Sequence, residues 1–316
     1  MRDKEYQTRE QALADLTIED ILISLGINGW PGPRRLARGV LGFPARAFAR
    51  RVLSFDRGVD RHGLDAGARR ILRTYARSLT IRGQEHLPEE GPVLILSNHP
   101  GMVDTLALFA ALPRRDLRIL AAEKPFLRAL PATSRRLFFV PEAEQGRGAV
   151  IRQTAAYLRS GGAVLTFPAG EIEPDPQVLP GALGSLNRWS PSTGLFLRLV
   201  PGLAVLPVLV RGVIAAPSLR HPFTLLRHKQ EDKRRLAAAL QIFMGELFPK
   251  KWLVEPRVDI FPPLNTGELA RYRRPERITQ CLIEEIRTLY AERLGEKEPE
   301  GYQLRSVSIL SPVKTL

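Results

Sequence analysis

Val93-Leu94-Ile95-Leu96-Ser97-Asn98-His99-Pro100-Gly101-Met102-Val103-Asp104 is the stretch whose reading decides the fold. Val93 to Leu96 is a short continuous apolar run of the kind that forms a buried strand, and Thr105 to Leu112 is a second apolar stretch of helical length. Between them Asn98-His99-Pro100-Gly101 reads as a turn. On one continuous helix His99 and Asp104 would be separated by about 500° of rotation, roughly 140° apart around the axis, and could not meet. With a helix that begins near Pro100, a position proline favours, His99 falls in the preceding turn and Asp104 can fold back onto its ring. A carboxylate placed there fixes the tautomer and stabilises the imidazolium that forms when the ring takes a proton. The pair reads as a general base with its orienter. On spacing alone the blander reading, a capped or surface histidine with a chance neighbour, is the more frequent one. His62, His86, His221 and His228 have no Asp five positions on.

Outward from this stretch, short apolar runs at 93–96, 117–122, 137–140, 163–167 and 204–210 alternate with helical patterns at 105–112, 147–160 and 190–199. That alternation predicts an α/β domain with a central, largely buried mixed sheet flanked by helices. Residues 229–248 give another amphipathic helix, Val258 to Phe261 a closing strand, and Gly267 to Leu294 a final helix before a polar tail. Residues 1–75 read as helices broken at Gly29 to Pro33 and at Phe43-Pro44. The expected division is therefore a helical region at 1–75, the α/β domain at 76–265, and a helix with its tail at 266–316. No internal repeat interrupts it.

His99-Pro100-Gly101-Met102-Val103-Asp104 after Ser97-Asn98 resembles the N-H-x4-D block of the phospholipid/glycerol acyltransferases, of the lysophosphatidic acid acyltransferase type. Phe167-Pro168-Ala169-Gly170-Glu171 stands where that family carries F-P-E-G, and Val205-Leu206-Pro207-Val208 resembles its last apolar block. The resemblance spans about 76 to 265 and implies a single glycerolipid-acyltransferase-like domain there; the amphipathic helices at the N-terminus are read from the residues alone. The chain departs from the pattern at Ala169, where the family has Glu, and at Pro141-Glu142, where the family's second block ends in Arg. The resemblance implies acyl transfer from a thioester, acyl-CoA or acyl-carrier protein, to a lysophospholipid or related glycerolipid hydroxyl. It also implies that Phe167, Pro168, Gly170 and Glu171 shape the acceptor region. A catalytically silent lipid-binding protein of the same fold is the other reading.

Arg147 and Arg152 are candidates for the missing anion contacts, since a guanidinium suits bidentate recognition of phosphate; equally, they decorate the solvent face of a helix. Lys124 is a candidate for a phosphate of donor or acceptor, or is a solvated surface lysine. Gly170 would let a backbone N–H approach an oxyanion, or simply makes a turn after a strand. Cys281 stands alone in a C-terminal helical pattern, and neither a G-x-S-x-G elbow nor a zinc-type cluster occurs. Direct transfer with no metal, cofactor or covalent acyl-enzyme is the expectation.

With 47 basic and 33 acidic residues the chain carries +14, and Arg outnumbers Lys 39 to 8. Such charge calls for a polyanionic partner or surface. No zinc finger, RNP-type aromatic motif or basic heptad region supports nucleic acid. No acidic residue occurs between Asp20 and Asp56, where Arg34, Arg35, Arg38, Arg46, Arg50 and Arg51 interleave with Trp30, Leu36, Val40, Phe43, Phe48, Val52 and Phe55. The 30–56 region reads as a helix lying in an anionic membrane interface, or as a helical pair packed on the domain. The stretch 200–217 is interrupted by Pro201, Pro207 and Arg211, so two strands with a turn near Gly212 explain it better than a membrane span. Acidic residues near the N-terminus do not resemble a secretory signal, and one cysteine agrees with a reducing compartment. Peripheral attachment to the cytoplasmic face of a membrane is the expected location.

Overall fold

The computed structural model describes residues 2–24, 31–248, 250–267, 269, 272–295 and 306–307; the side chains at 2–5, 24, 31–38 and 306–307 lie outside the description. The chain runs α1 (Arg2–Ser24), α2 (Pro31–His62), α3 (Leu64–Tyr75), β1 (Leu79–Arg82), β2 (Val93–Ser97), α4 (Val103–Ala111), β3 (Arg118–Ala122) and β4 (Leu137–Val140). The helix Arg147–Arg159, β5 (Ala163–Thr166), the helix Ser192–Leu199, β6 (Ala204–Arg211), the helix Gln230–Leu247, β7 (Arg257–Ile260) and the helix Pro275–Gly295 follow.

Seven strands lie in the order β4-β3-β5-β2-β6-β7-β1, with the two-residue strand Ser306–Val307 on the outer edge of β1. β2 sits at the centre, parallel to β5 on one side and to β6 on the other. β7 is antiparallel to β6, so the sheet is mixed as the sequence predicted. Every residue of β2 is buried, which is why it reads as an unbroken apolar run. Its side chains alternate between two cores. Val93 and Ile95 join α3 and α4 on one face; Leu94 and Leu96 join the helices Ser192–Leu199 and Pro275–Gly295 on the other. Phe55 to Tyr75 contribute to the first core and Ile278 to Tyr290 to the second, so residues on both sides of positions 75 and 265 share these interiors.

Four expectations are corrected. First, α2 runs through Pro44 and breaks instead at Gly63, whose φ of +91° only glycine adopts easily. A proline inside a helix costs about 3 kcal/mol. Here Ala45, Ala49 and Leu53 pack tightly against Leu13, Ala14 and Leu22 of α1, and that burial holds the helix together. Second, 200–217 holds one strand rather than two. After Gly212 the N–H groups of Val213 and Ile214 bond to the Asp175 side chain, which leaves them nothing to offer a neighbouring strand. Third, the last helix starts at Pro275 rather than near Gly267, in agreement with the preference of proline for a first turn. Fourth, the stripe Phe48, Val52 and Phe55 faces protein. Val52 and Phe55 are buried, and the Phe48 ring stacks on Phe126 at 5.8 Å. Of the same region, Val40 and Phe43 are 66% and 63% exposed. Trp30 and the side chains of Arg34, Arg35, Leu36 and Arg38 lie outside the described residues.

The short strand β1, Leu79-Thr80-Ile81-Arg82, lacked a sequence signal because half of it is polar. It ends at Gly83, φ +72°, where an added Cβ would lie 1.9 Å from the Ile260 carbonyl oxygen. Gly83→Ala is therefore expected to destabilise the fold by at least the 1–3 kcal/mol, roughly, of a left-handed non-glycine residue, and more from the backbone collision. A thermal melt within a degree or two of wild type would contradict the close approach.

Candidate active site

The carboxyl ends of β2, β5 and β6 converge at the middle of the sheet, and two acidic residues that follow β5 bind them together. Glu173, buried, accepts the His99 backbone N–H at 2.9 Å, the Ser185 hydroxyl at 2.7 Å and the Trp189 indole N–H at 3.1 Å. Its own N–H donates to the His99 carbonyl at 2.8 Å, so His99 and Glu173 clasp each other twice. Asp175, also buried, accepts the N–H groups of Gln177, Gly212, Val213 and Ile214 at 3.0, 2.9, 2.7 and 3.0 Å. Asn98 bonds both polar groups of Val210, donating to the carbonyl at 2.8 Å and accepting the N–H at 2.7 Å. Three loops that would otherwise fray from the strand ends are held in one arrangement.

Within that frame His99 Nδ1 lies 2.7 Å from Asp104 Oδ2. The helix starts at Val103, three residues later than expected, which leaves His99 well outside it and Asp104 in its first turn. The reason is local. The Asp104 carboxylate also accepts the Gly101 N–H at 3.1 Å and the Thr105 N–H at 2.6 Å, so the chain makes an extra turn after Pro100 before the helical bonds begin. Asp104 is fully buried and, as a carboxylate, can only accept; Nδ1 must therefore carry the proton. That leaves the Nε2 lone pair outward, with no hydrogen-bond partner among the described residues, on a side chain 24% exposed. The Phe167 ring lies 4.4 Å from the imidazole, centroid to centroid, tilted by 32°, and covers one face. Burial pulls the His99 pKa down; the Asp104 charge and hydrogen bond and the Glu173 charge outweigh it, so the net shift is upward from 6.5.

The other residues singled out in the sequence divide. Phe167 is at the ring. Pro168 accepts the Ser190 N–H through its carbonyl. Gly170, φ +66°, donates its N–H to the Phe167 carbonyl at 3.0 Å, so that donor closes a turn and is not directed at an oxyanion. Glu171 Oε1 is 2.8 Å from Arg188 Nε, an ion pair whose angle misses hydrogen-bond geometry. Lys124 bonds Glu142 at 2.7 Å and Arg147 bonds the carbonyls of Pro141 and Glu142, so both are tied to the connection after β4. Arg152 is exposed on the helix Arg147–Arg159. β4 is three strands from β2, roughly 14 Å at the usual strand spacing, so these cations stand off from the His99 turn. Two arginines absent from the sequence reading are nearer. Arg188 meets Glu171, and Arg234 Nε donates to the Ile172 carbonyl at 2.9 Å, so guanidinium groups from two elements converge on consecutive residues of one loop. Burial and then the like charge of Arg188 lower the Arg234 pKa. Neither arginine lies in a sequence motif; only the folded chain brings them to the loop.

Fold and site together define an α/β domain that presents a carboxylate-oriented imidazole at the carboxyl edge of its parallel strands. Residues 78–209 match the family model described as Acyltransferase. No curated protein matches the chain. Among solved structures the chain is similar to the crystal structure of the 1-acyl-sn-glycerophosphate (LPA) acyltransferase PlsC from Thermotoga maritima. That match has 15% identity and a TM-score of 0.45, covering 92% of this chain and 99% of that one. Among the described residues no helix is long and apolar enough to cross a membrane, and no group of three or more His, Cys, Asp or Glu is placed to hold a metal ion.

Proposed function

We propose that this protein is a membrane-surface O-acyltransferase that moves a fatty acyl chain from acyl-CoA or acyl-carrier protein to the hydroxyl of a lysophospholipid or related glycerolipid. The observation that carries this reading is the Nδ1–Asp104 bond with Nε2 left open on a partly exposed ring. As the acceptor oxygen attacks the thioester carbonyl, its proton passes to His99 Nε2. The tetrahedral oxyanion then collapses, the C–S bond breaks, and the departing thiolate takes the proton back from the imidazolium. Asp104 holds the ring in the required tautomer and offsets its transient charge. Incubating the purified protein with labelled acyl-CoA or acyl-carrier protein and a panel of lysolipids tests the reading. Binding of lysolipids without transfer from either donor would favour the catalytically silent alternative.

Arg188 and Arg234 are proposed to meet an acceptor's anionic group; the reading is supported by their grip on Glu171 and Ile172, in the loop that Glu173 clasps to His99. A charge-assisted hydrogen bond contributes about 1.5–3 kcal/mol. Arg188→Ala is accordingly expected to raise KM for a phosphate-bearing acceptor by roughly tenfold or more, with little effect on an uncharged acceptor such as a monoacylglycerol. Equal effects on the two acceptors would place Arg188 outside the headgroup contact.

A further inference from the structure

We propose that the segment Ala216–Lys229 is a docking surface for an anionic lipid bilayer, set at the rim of the His99 site. The inference rests on the reading that the acceptor is a membrane lipid.

Three observations carry it. The first is exposure on a rigid scaffold. Phe223, Leu225 and Leu226 are 53%, 61% and 71% exposed and fall within four residues. They do not hang on a loose loop. Thr224 between them is buried and its hydroxyl donates to the Ser218 carbonyl at 2.9 Å, while the N–H groups of Thr224, Leu225 and Leu226 bond back to His221 and Pro222. The polar residue is turned inward and the apolar ones outward, the reverse of what water alone would select.

The second is charge. From Asp175 to Glu231 the sequence contains no acidic residue, and the segment itself carries Arg220, Arg227 and Lys229 beside His221 and His228. Apolar side chains flanked by cations match the acyl boundary and the anionic headgroups of a bilayer; a water-soluble protein partner would call for charges of both signs.

The third is position. The segment follows Ile214, whose Cδ1 would lie 2.9 Å from a Cβ added to Gly101 in the His99 turn. On its other side Arg234, in the first half of the helix Gln230–Leu247, grips the Ile172 carbonyl. Met102, next to Gly101, is exposed as well. A bilayer seated on Phe223, Leu225 and Leu226 would deliver its lipids beside the imidazole.

The full chain is tested by flotation with vesicles of phosphatidylcholine alone and with added phosphatidylglycerol, alongside acyl transfer to a vesicle-embedded acceptor and to a short-chain monomeric one. The triple substitution Phe223→Ser, Leu225→Ser, Leu226→Ser is expected to weaken vesicle binding at least about tenfold, since it removes the apolar surface that the bilayer would withdraw from water. Transfer to the monomeric acceptor should stay within about twofold of wild type. Arg220→Glu with Lys229→Glu should weaken binding only to the phosphatidylglycerol vesicles. Unchanged vesicle binding by the triple variant overturns the proposal, as does a wild-type dimer that the substitutions convert to monomer without affecting vesicles, which would assign the patch to a second copy. If wild type binds vesicles through the patch but transfers to neither acceptor, the enzymatic reading fails and the docking surface stands.

Discussion

Replacing His99 with alanine is expected to lower kcat for acyl transfer by about 10²–10⁴-fold, the usual contribution of a positioned general base. Some stability should be lost with it, because the buried Asp104 carboxylate loses one of its donors, but the clasp to Glu173 uses only the backbone of His99 and is kept. Initial rates with labelled donor, alongside a thermal melt, separate the two effects; undiminished turnover would remove His99 from the reaction. The pH dependence follows from the upward shift of the imidazole. A base must be neutral, so kcat/KM falls as pH drops through the raised pKa, and the acid limb of the profile sits above 6.5. Asp104→Asn removes the charge that lifts it and should move that limb to lower pH while also slowing turnover. Stability runs the other way. The folded state favours the protonated ring, so that contribution is complete below the unfolded value of 6.5 and is lost as pH rises through the folded one. The His99–Asp104 pair is thus most stabilising where the base is inactive.

Asp175→Ala is expected to be the most damaging substitution for the fold. It strips the acceptor from four backbone N–H groups, those of Gln177, Gly212, Val213 and Ile214; water can reach the first, but the other three are buried. Each buried donor left unsatisfied costs about 1–3 kcal/mol. The three buried ones together approach the ~5–15 kcal/mol that stabilises a typical domain. Urea and thermal unfolding should show a large drop in midpoint or no cooperative transition at all. Asp175→Asn, which keeps one acceptor oxygen, should fall between the two. A midpoint for Asp175→Ala close to wild type would mean that the loop after β6 holds its shape without this carboxylate.

Much of the site was legible because it is local. Asn98, His99 and Asp104 lie within seven residues, and a strand, a turn and a helix start suffice to bring the ring and the carboxylate together whatever the rest of the chain does. The apolar runs identified the five mutually parallel strands β2 to β6 for a similar reason: strands largely covered on both faces are mostly apolar, Arg118 at the start of β3 being an exception. Helix boundaries were less accurate where a side chain outcompeted the backbone pattern, as Asp104 does after Pro100 and the packing of Ala45 and Ala49 does at Pro44. The surroundings of the candidate cations were not legible, for a different cause. Arg147 and Lys124 follow strands in sequence as the motif blocks do, but those strands, β4 and β3, lie at one end of the sheet, where the two charges close on Glu142 and nearby carbonyls.

By itself the sequence determined the α/β alternation, the central buried strand and the pairing of imidazole with carboxylate, since each depends on periodicity or on neighbours a few residues apart. Only the tertiary structure decided that Glu173 and Asp175 bind three strand ends into one frame, that Arg188 and Arg234 converge on the loop after Gly170, and that Phe48, Val52 and Phe55 face protein while Phe223, Leu225 and Leu226 face outward. Those outcomes turn on which strands become neighbours and which helix faces are covered, and side chains separated by dozens of residues acquire a shared environment only when the whole sheet has closed around them.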